Sequence, residues 1–134
     1  MSELQPGRFV RQGDIFIARV AGLPPLRTER LPDPTRGIVL AYGEATGHAH
    51  VVRGRTVLHY DAPDAMGAAR ALLADAGLTV ELPEASAPSF LLVEEAPAQV
   101  EHNTHTARVL PVGDYVVWHQ VEWSDAMEPI QVRD

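Results

Sequence analysis

Cysteine and lysine are both absent from this sequence, and each absence narrows the chemistry open to it. Without cysteine there are no disulfides, no thiolate metal sites and no cysteine nucleophiles. That composition fits the cytoplasm. Without lysine the cationic charge rests on arginine, and Arg8, Arg11, Arg19, Arg27, Arg30, Arg36, Arg53 and Arg55 all fall in the first half. Only Arg70, Arg108 and Arg133 lie beyond them, while the acidic excess is concentrated in the second half. Long apolar runs are missing too, since none approaches the roughly 20 residues of a membrane-spanning helix. Met1 to Arg11 carries no apolar stretch long enough for a secretory signal, so a cytoplasmic protein without a membrane span is expected. There is no internal repeat and no low-complexity linker. No nucleotide-binding glycine loop, nucleophile elbow or zincin motif is present, which removes several large enzyme classes.

What is there suits one folded unit. A chain of 134 residues can enclose one hydrophobic core, so residues 1–134 are read as a single domain. The apolar fraction of 46% and charged fraction of 22% are those of an ordinary globular protein. A net charge of -7 repels phosphate backbones at long range and disfavours generic nucleic-acid binding, although a local basic patch is compatible with it.

Most of the patterning is that of β-structure. Period-2 and β-branched signals mark strands at Asp14–Val20, Gly37–Tyr42, Gly47–Arg53, Thr56–Tyr60, Ser89–Glu94 and Gln99–His102. Gly54-Arg55 reads as a tight turn. Thr106–Leu110 and Asp114–Trp123 read as a hairpin closed by Pro111-Val112-Gly113. Pro24-Pro25 and Pro32-Asp33-Pro34 mark a loop, because proline forbids regular pairing. One segment, Asp64 to Ala76, has helical spacing, with Ala65, Met66, Ala69, Leu72, Leu73 and Ala76 on one face. Asp64 suits its N-cap and Gly77 its stop. The expected fold is mainly β: a small antiparallel barrel or a two-layer sandwich with one inserted helix over about residues 64–76.

Of the six histidines, two pairs stand out. His48 and His50 are two apart, so a strand points both imidazoles to one face, where they can converge on one ion. Zinc, iron, nickel and copper favour this ligand. His102 and His105 are three apart and share that site only if Asn103-Thr104 forms a turn or bulge, which these residue types permit. Glu44 or Glu101 could add a carboxylate ligand or accept a proton beside bound water. Gly43 and Gly47 bracket Glu44-Ala45-Thr46 and allow a sharp turn that presents Glu44 and Thr46 beside the first pair, as catalytic candidates. The plainer alternatives are two surface histidines in sequence proximity and an ordinary glycine-rich hairpin. His59 is expected to face solvent or a neighbouring strand, and His119 to be a core histidine with a hydrogen-bonded ring. Gln120 and Glu122 are co-facial and could line a pocket; edge-strand solvation would explain them too.

These residues carry a resemblance. Arg11-Gln12-Gly13-Asp14, the block Gly43–His50, His102-x-x-His105, Leu110-Pro111-Val112-Gly113-Asp114-Tyr115 and Gln120-Val121-Glu122-Trp123 occur in this order. Together they resemble a family of small uncharacterised bacterial and phage proteins with the pattern RQGD, GExTGHxH, HxxH, LPxGxY and QxE followed by Tyr or Trp. The resemblance implies which residues matter and no particular activity. The helix lies outside the pattern. His48-x-His50 with Pro111-x-Gly113 also resembles the two cupin motifs. It departs from them in the glycine spacing before His48, the missing glutamate after His50, and Val116 where a cupin places its last histidine ligand. His102-Asn103-Thr104 is similar to the His-x-Thr element of two-histidine phosphoesterases, but His48-Ala49-His50 does not supply the second element.

Three functions compete on this basis. One is a metal-dependent hydrolase of unspecified small-molecule substrate, with zinc, nickel or iron on His48, His50, His102 and His105 and protons managed by Glu44. Another is a non-enzymatic metal module whose four histidines leave no open position. The third is an interaction protein, phage or host-defence related, with structural histidines and the apolar hairpin at Tyr115–Trp123 serving a partner or a homodimer.

Overall fold

The computed structural model describes residues 5–42, 49–123 and 129–131. In chain order the strands are β1 (Phe9–Gln12), β2 (Ile15–Val20), β3 (Thr28–Glu29), β4 (Ile38–Tyr42), β5 (Ala49–Arg53) and β6 (Thr56–Asp61). Helix α1 (Ala65–Asp75) follows, then β7 (Ser89–Glu94), β8 (Ala98–Glu101), β9 (Arg108–Leu110), β10 (Gly113–His119), β11 (Val121–Trp123) and β12 (Pro129–Gln131). Ten of these strands make two antiparallel sheets, a six-stranded one in the order β1-β2-β10-β7-β6-β3 and a four-stranded one in the order β4-β5-β8-β9. β11 and β12 pair with each other.

The alternating faces of the central strands explain the layering. Ile15, Ile17, Leu91, Val93, Tyr115 and Val117 of the larger sheet pack on Leu40, Ala41, Val52, Ala98, Val100 and Leu110 of the smaller one. The residues between them, Ala18, Val20, Phe90, Val116 and Trp118, point the other way and pack on α1 through Ala69 and Leu73. Helix α1 starts where its sequence says it should: the Asp64 carboxylate accepts from the Gly67 N–H at 3.0 Å, and Gly77 takes φ +88 just past the end. The protein is therefore a β-sandwich with a helix laid on the outer face of the larger sheet. Of the two expected architectures the sandwich is found; among the described residues the sheets stay open and form no closed barrel.

The expected hairpin is not formed. β9 pairs with β8 in the small sheet, whereas β10 lies between β2 and β7 in the large one. Pro111-Val112 carries the chain from one layer to the other, and the Tyr115 hydroxyl pins the crossing by donating to the Pro111 carbonyl at 2.5 Å. The reason is burial. β10 is apolar on both faces from Tyr115 to Trp118, so it needs a partner on each edge and a layer over each face. The same burial encloses Tyr115, Val116 and Val117 within the chain. Their apolar area is already used inside the chain.

His59 is 3% exposed, and its Nε2 lies 2.9 Å from Ser89 Oγ on the neighbouring strand β7. Burial, reinforced by the Arg30 charge and opposed by Asp61, pushes its pKa down from 6.5 to about 4. The folded state thus resists a proton that the unfolded chain accepts. The resulting stability is complete above the unfolded pKa and is lost as pH falls toward the folded one. Denaturant unfolding should show a loss of roughly 2–3 kcal/mol between about pH 7.5 and pH 4.5 from this group. A His59→Gln variant should show a smaller loss over that interval. An identical loss in both proteins would mean that His59 titrates normally.

Candidate functional site

The site is built on the β1–β2 turn. Gln12 pairs directly with Ile15, so Gly13-Asp14 is a two-residue connection, and Gly13 takes φ +57 at its first position. The turn is tied to the end of β10 by the Gln120 N–H, which donates to the Asp14 carbonyl at 2.8 Å. It places two buried polar side chains, Gln12 at 3% and Asp14 at 5% exposure, beside the edge of the core between the sheets.

His50 reaches the same place from β5. It shares a strand face with Val52, which belongs to the inter-sheet core, and its ring is fully buried. Its protonation pattern follows from its partners. The Gln12 amide nitrogen donates to two carbonyls, Val100 O at 3.0 Å and Thr106 O at 2.9 Å. Only an NH₂ can face two carbonyls, so Gln12 Oε1 must be the atom facing His50 Nδ1 at 2.9 Å. That oxygen can only accept. Nδ1 therefore carries the proton, and Nε2 is the basic nitrogen of the neutral ring. Nε2 faces Asp14 Oδ1 at 3.4 Å. Asp14 Oδ1 is buried and accepts no hydrogen bond among the described residues.

The second histidine pair arrives on the loop between β8 and β9. The chain bends at Asn103–His105, which brings both rings to the site: the ring centroids of His50 and His102 are 4.4 Å apart, His102 and His105 4.7 Å, His50 and His105 6.0 Å. The two loop histidines differ. Thr104 N–H donates to His102 Nδ1 at 3.1 Å, so the neutral His102 ring carries its proton on Nε2 and acts as a donor. His105 Nε2 is buried and has no hydrogen-bond partner among the described residues.

A β-bulge completes the surroundings. The β4–β5 register shifts between Val39 and Ala41, leaving Leu40 outside regular pairing. The His119 ring bonds to the Leu40 backbone. Burial holds its pKa below the usual histidine range; Asp14 and the Leu40 bond oppose that shift, while His50 and Arg30 add to it. Asp14, His50 and His119 thus form one electrostatic neighbourhood. His119 and Gln120 also line a cleft of about 840 Å³ with Phe9, Phe16 and Trp118.

The bend at Asn103–His105, which the residue types permitted, brings the His50, His102 and His105 rings together. His48, Glu44 and Thr46 lie outside the described residues, as does the Glu122 side chain. Gln120 stands at the site, with its Oε1 buried and unpartnered among the described residues. Glu101 points elsewhere and binds Arg53 Nε at 2.9 Å. The carboxylate at the site is Asp14, held by a Gly-Asp pair that reads in the sequence as turn chemistry alone. Its one clue was the Arg11-Gln12-Gly13-Asp14 block of the resemblance, which also contains Gln12. Among the described residues no three His, Asp or Glu side chains form a set that could hold a metal ion. His50 and Asp14 provide two donors, with His105 nearby.

The family model for a domain of unknown function, DUF8820, matches residues 11–120, and the chain belongs to that family. The match spans Gln12, Asp14 and all six histidines. No curated protein and no solved structure matches the chain. No helix among the described residues is long and apolar enough to cross a membrane.

Proposed function

We propose that this member of the family is a divalent-metal-binding protein, with a transition metal such as zinc, nickel or iron held between His50 Nε2 and Asp14 Oδ1. The separation of those two atoms carries the reading. A charge-assisted hydrogen bond would close to about 2.7–2.9 Å. Two ligands at about 2.05 Å on a tetrahedral ion stand about 3.3 Å apart. The observed 3.4 Å matches that ligand separation and exceeds the hydrogen-bond distance. The tautomer forced by Gln12 supports it, because metal-binding histidines give their other ring N–H to a fixed acceptor. His105 Nε2 is the third candidate donor, because it is buried without a hydrogen-bond partner among the described residues and its ring centroid lies 6.0 Å from that of His50. The fourth position goes to His48, two residues before His50, in a closed site or to a water in an open one. His102, with its proton on Nε2, serves as a donor beside the ion.

The open side favours catalysis over a closed structural site. His105 and His102 each line a surface depression, so ligands from solvent can reach the cluster. An ion there would bring a bound water toward a neutral pKa, the basis of a hydrolase reading with Glu44 as proton acceptor. A second reading is that a proton bridges His50 and Asp14 in a structural ion pair. It is favoured by the lack of a three-donor set among the described residues. Metal analysis of protein purified without a histidine tag separates them. About one equivalent of metal, with a thermal shift on adding zinc, nickel or iron, is expected. No metal and no shift would leave the proton-bridged pair.

A further inference from the structure

Beside the histidine cluster lies a depression of about 360 Å³ lined by Arg11, Gln12, Gly13, His105, Thr106 and Arg108. It shares Gln12 and His105 with the candidate metal site. Its two arginines are the basic patch that the acidic composition left room for. Arg11 Nε donates to the Gly13 carbonyl at 2.8 Å, and its guanidinium carbon sits 5.2 Å over the Phe16 ring. Arg108 Nε donates to the Arg11 carbonyl at 3.2 Å. Each side chain is therefore anchored at Nε, which leaves its terminal NH groups for another acceptor. Neither makes an ion pair with a carboxylate among the described residues, unlike Arg30 with Asp61 or Arg53 with Glu101. The protein carries a net charge of -7, so carboxylates for pairing are plentiful elsewhere on it.

Two anchored guanidiniums lining one depression concentrate positive charge that an anion would offset. His105, whose Nε2 is buried without a hydrogen-bond partner among the described residues, lines the same depression. Arginine's planar fork matches tetrahedral oxyanions, and two forks supply the charge that a dianion requires. We infer that this depression binds the phosphoryl group of a small-molecule substrate, on Arg11 and Arg108, with the rest of the molecule directed over His105 toward the histidine cluster. As a statement about substrate class it rests on the metal-site reading. As a statement about anion binding it stands by itself.

The test is titration of metal-free protein with inorganic phosphate, followed by calorimetry or by amide shifts of residues 11–13 and 105–108. Saturable binding that weakens with added salt is expected. Arg108→Gln and Arg11→Gln should each weaken it by about tenfold or more, consistent with losing a charge-assisted bond. Both variants should keep the zinc affinity of the unmodified protein. His50→Ala should keep phosphate binding even where it loses zinc, so that failure of one reading is distinguishable from failure of the other. No saturable binding would overturn the inference. So would phosphate binding that requires zinc and is unchanged in Arg108→Gln, because the anion would then sit on the ion alone. Acetate binding as tightly as phosphate would overturn the phosphoryl assignment.

Discussion

Replacing Asp14 with asparagine should make the metal-free protein more stable and largely abolish its metal binding. In the native turn, the buried Asp14 Oδ1 faces the basic nitrogen of the neutral His50 ring across 3.4 Å and accepts no hydrogen bond among the described residues. A buried carboxylate oxygen so placed costs free energy unless a cation lies beside it. Asparagine has nearly the same shape, and its amide can donate to His50 Nε2. The gain expected without metal is about 1–2 kcal/mol, the size of one satisfied buried group. The turn itself should survive, because Asp14 is held through its backbone carbonyl by the Gln120 N–H. Zinc affinity should fall by more than about a hundredfold, exceeding the usual cost of losing an outer-shell partner. A proton-bridged ion pair gives the opposite sign of stability. Breaking one leaves an uncompensated buried charge and costs about 3–5 kcal/mol. Denaturant unfolding with and without zinc measures both quantities on the same protein.

The second large effect belongs to Gln12. Its side chain makes three hydrogen bonds, to Val100 O, Thr106 O and His50 Nδ1. They join β1 to β5, to β8 and to the histidine loop. Gln12→Leu keeps the volume and removes all three bonds. A destabilisation of about 3 kcal/mol is expected, near 1 kcal/mol for each group left without a partner. In a protein of this size the midpoint of thermal unfolding should fall by roughly 10 °C. The His50 ring would also lose the acceptor that fixes its tautomer. Metal affinity should drop by about 10–100-fold even though no ligand has been touched. Gln12→Glu separates the two effects: it keeps an acceptor for Nδ1 but loses both donors. It should therefore retain more metal affinity than the leucine variant while losing comparable stability. Equal metal affinity in all three proteins would show that Gln12 only packs.

Much of the fold was legible because its signals are local. The β-branched runs at Ile15–Val20 and Ser89–Glu94 alternate between two apolar faces, and Asp64 and Gly77 close the helix by side-chain and backbone chemistry within a few residues. What failed was assignment between sheets. Pro111-Val112-Gly113 looks like a hairpin turn, and nothing local says that Leu110 and Tyr115 will end in different layers. That is decided by the central position of β10, a tertiary fact. The site divided in the same way. The bend at Asn103-Thr104 that unites His102 and His105 was permitted by residue type and not required by it. Asp14 was not, because a Gly-Asp pair at the head of a strand is fully explained as a turn. Only the crossing of β1 against β5 shows that this turn delivers a carboxylate to a histidine 36 positions away in the sequence. Glu101 offered a nearer carboxylate, and Arg53 on the paired strand engages it.

The most direct test is ¹⁵N NMR of the His50 imidazole, recorded through long-range proton couplings during a zinc titration. Without metal, Nδ1 should appear protonated and Nε2 as a basic lone-pair nitrogen. At about one equivalent of zinc the Nε2 resonance alone should move to the range of a metal-bound nitrogen, with Nδ1 keeping its proton. A His50 ring protonated on both nitrogens and unmoved by zinc would contradict the metal site and leave His50 and Asp14 as a structural ion pair.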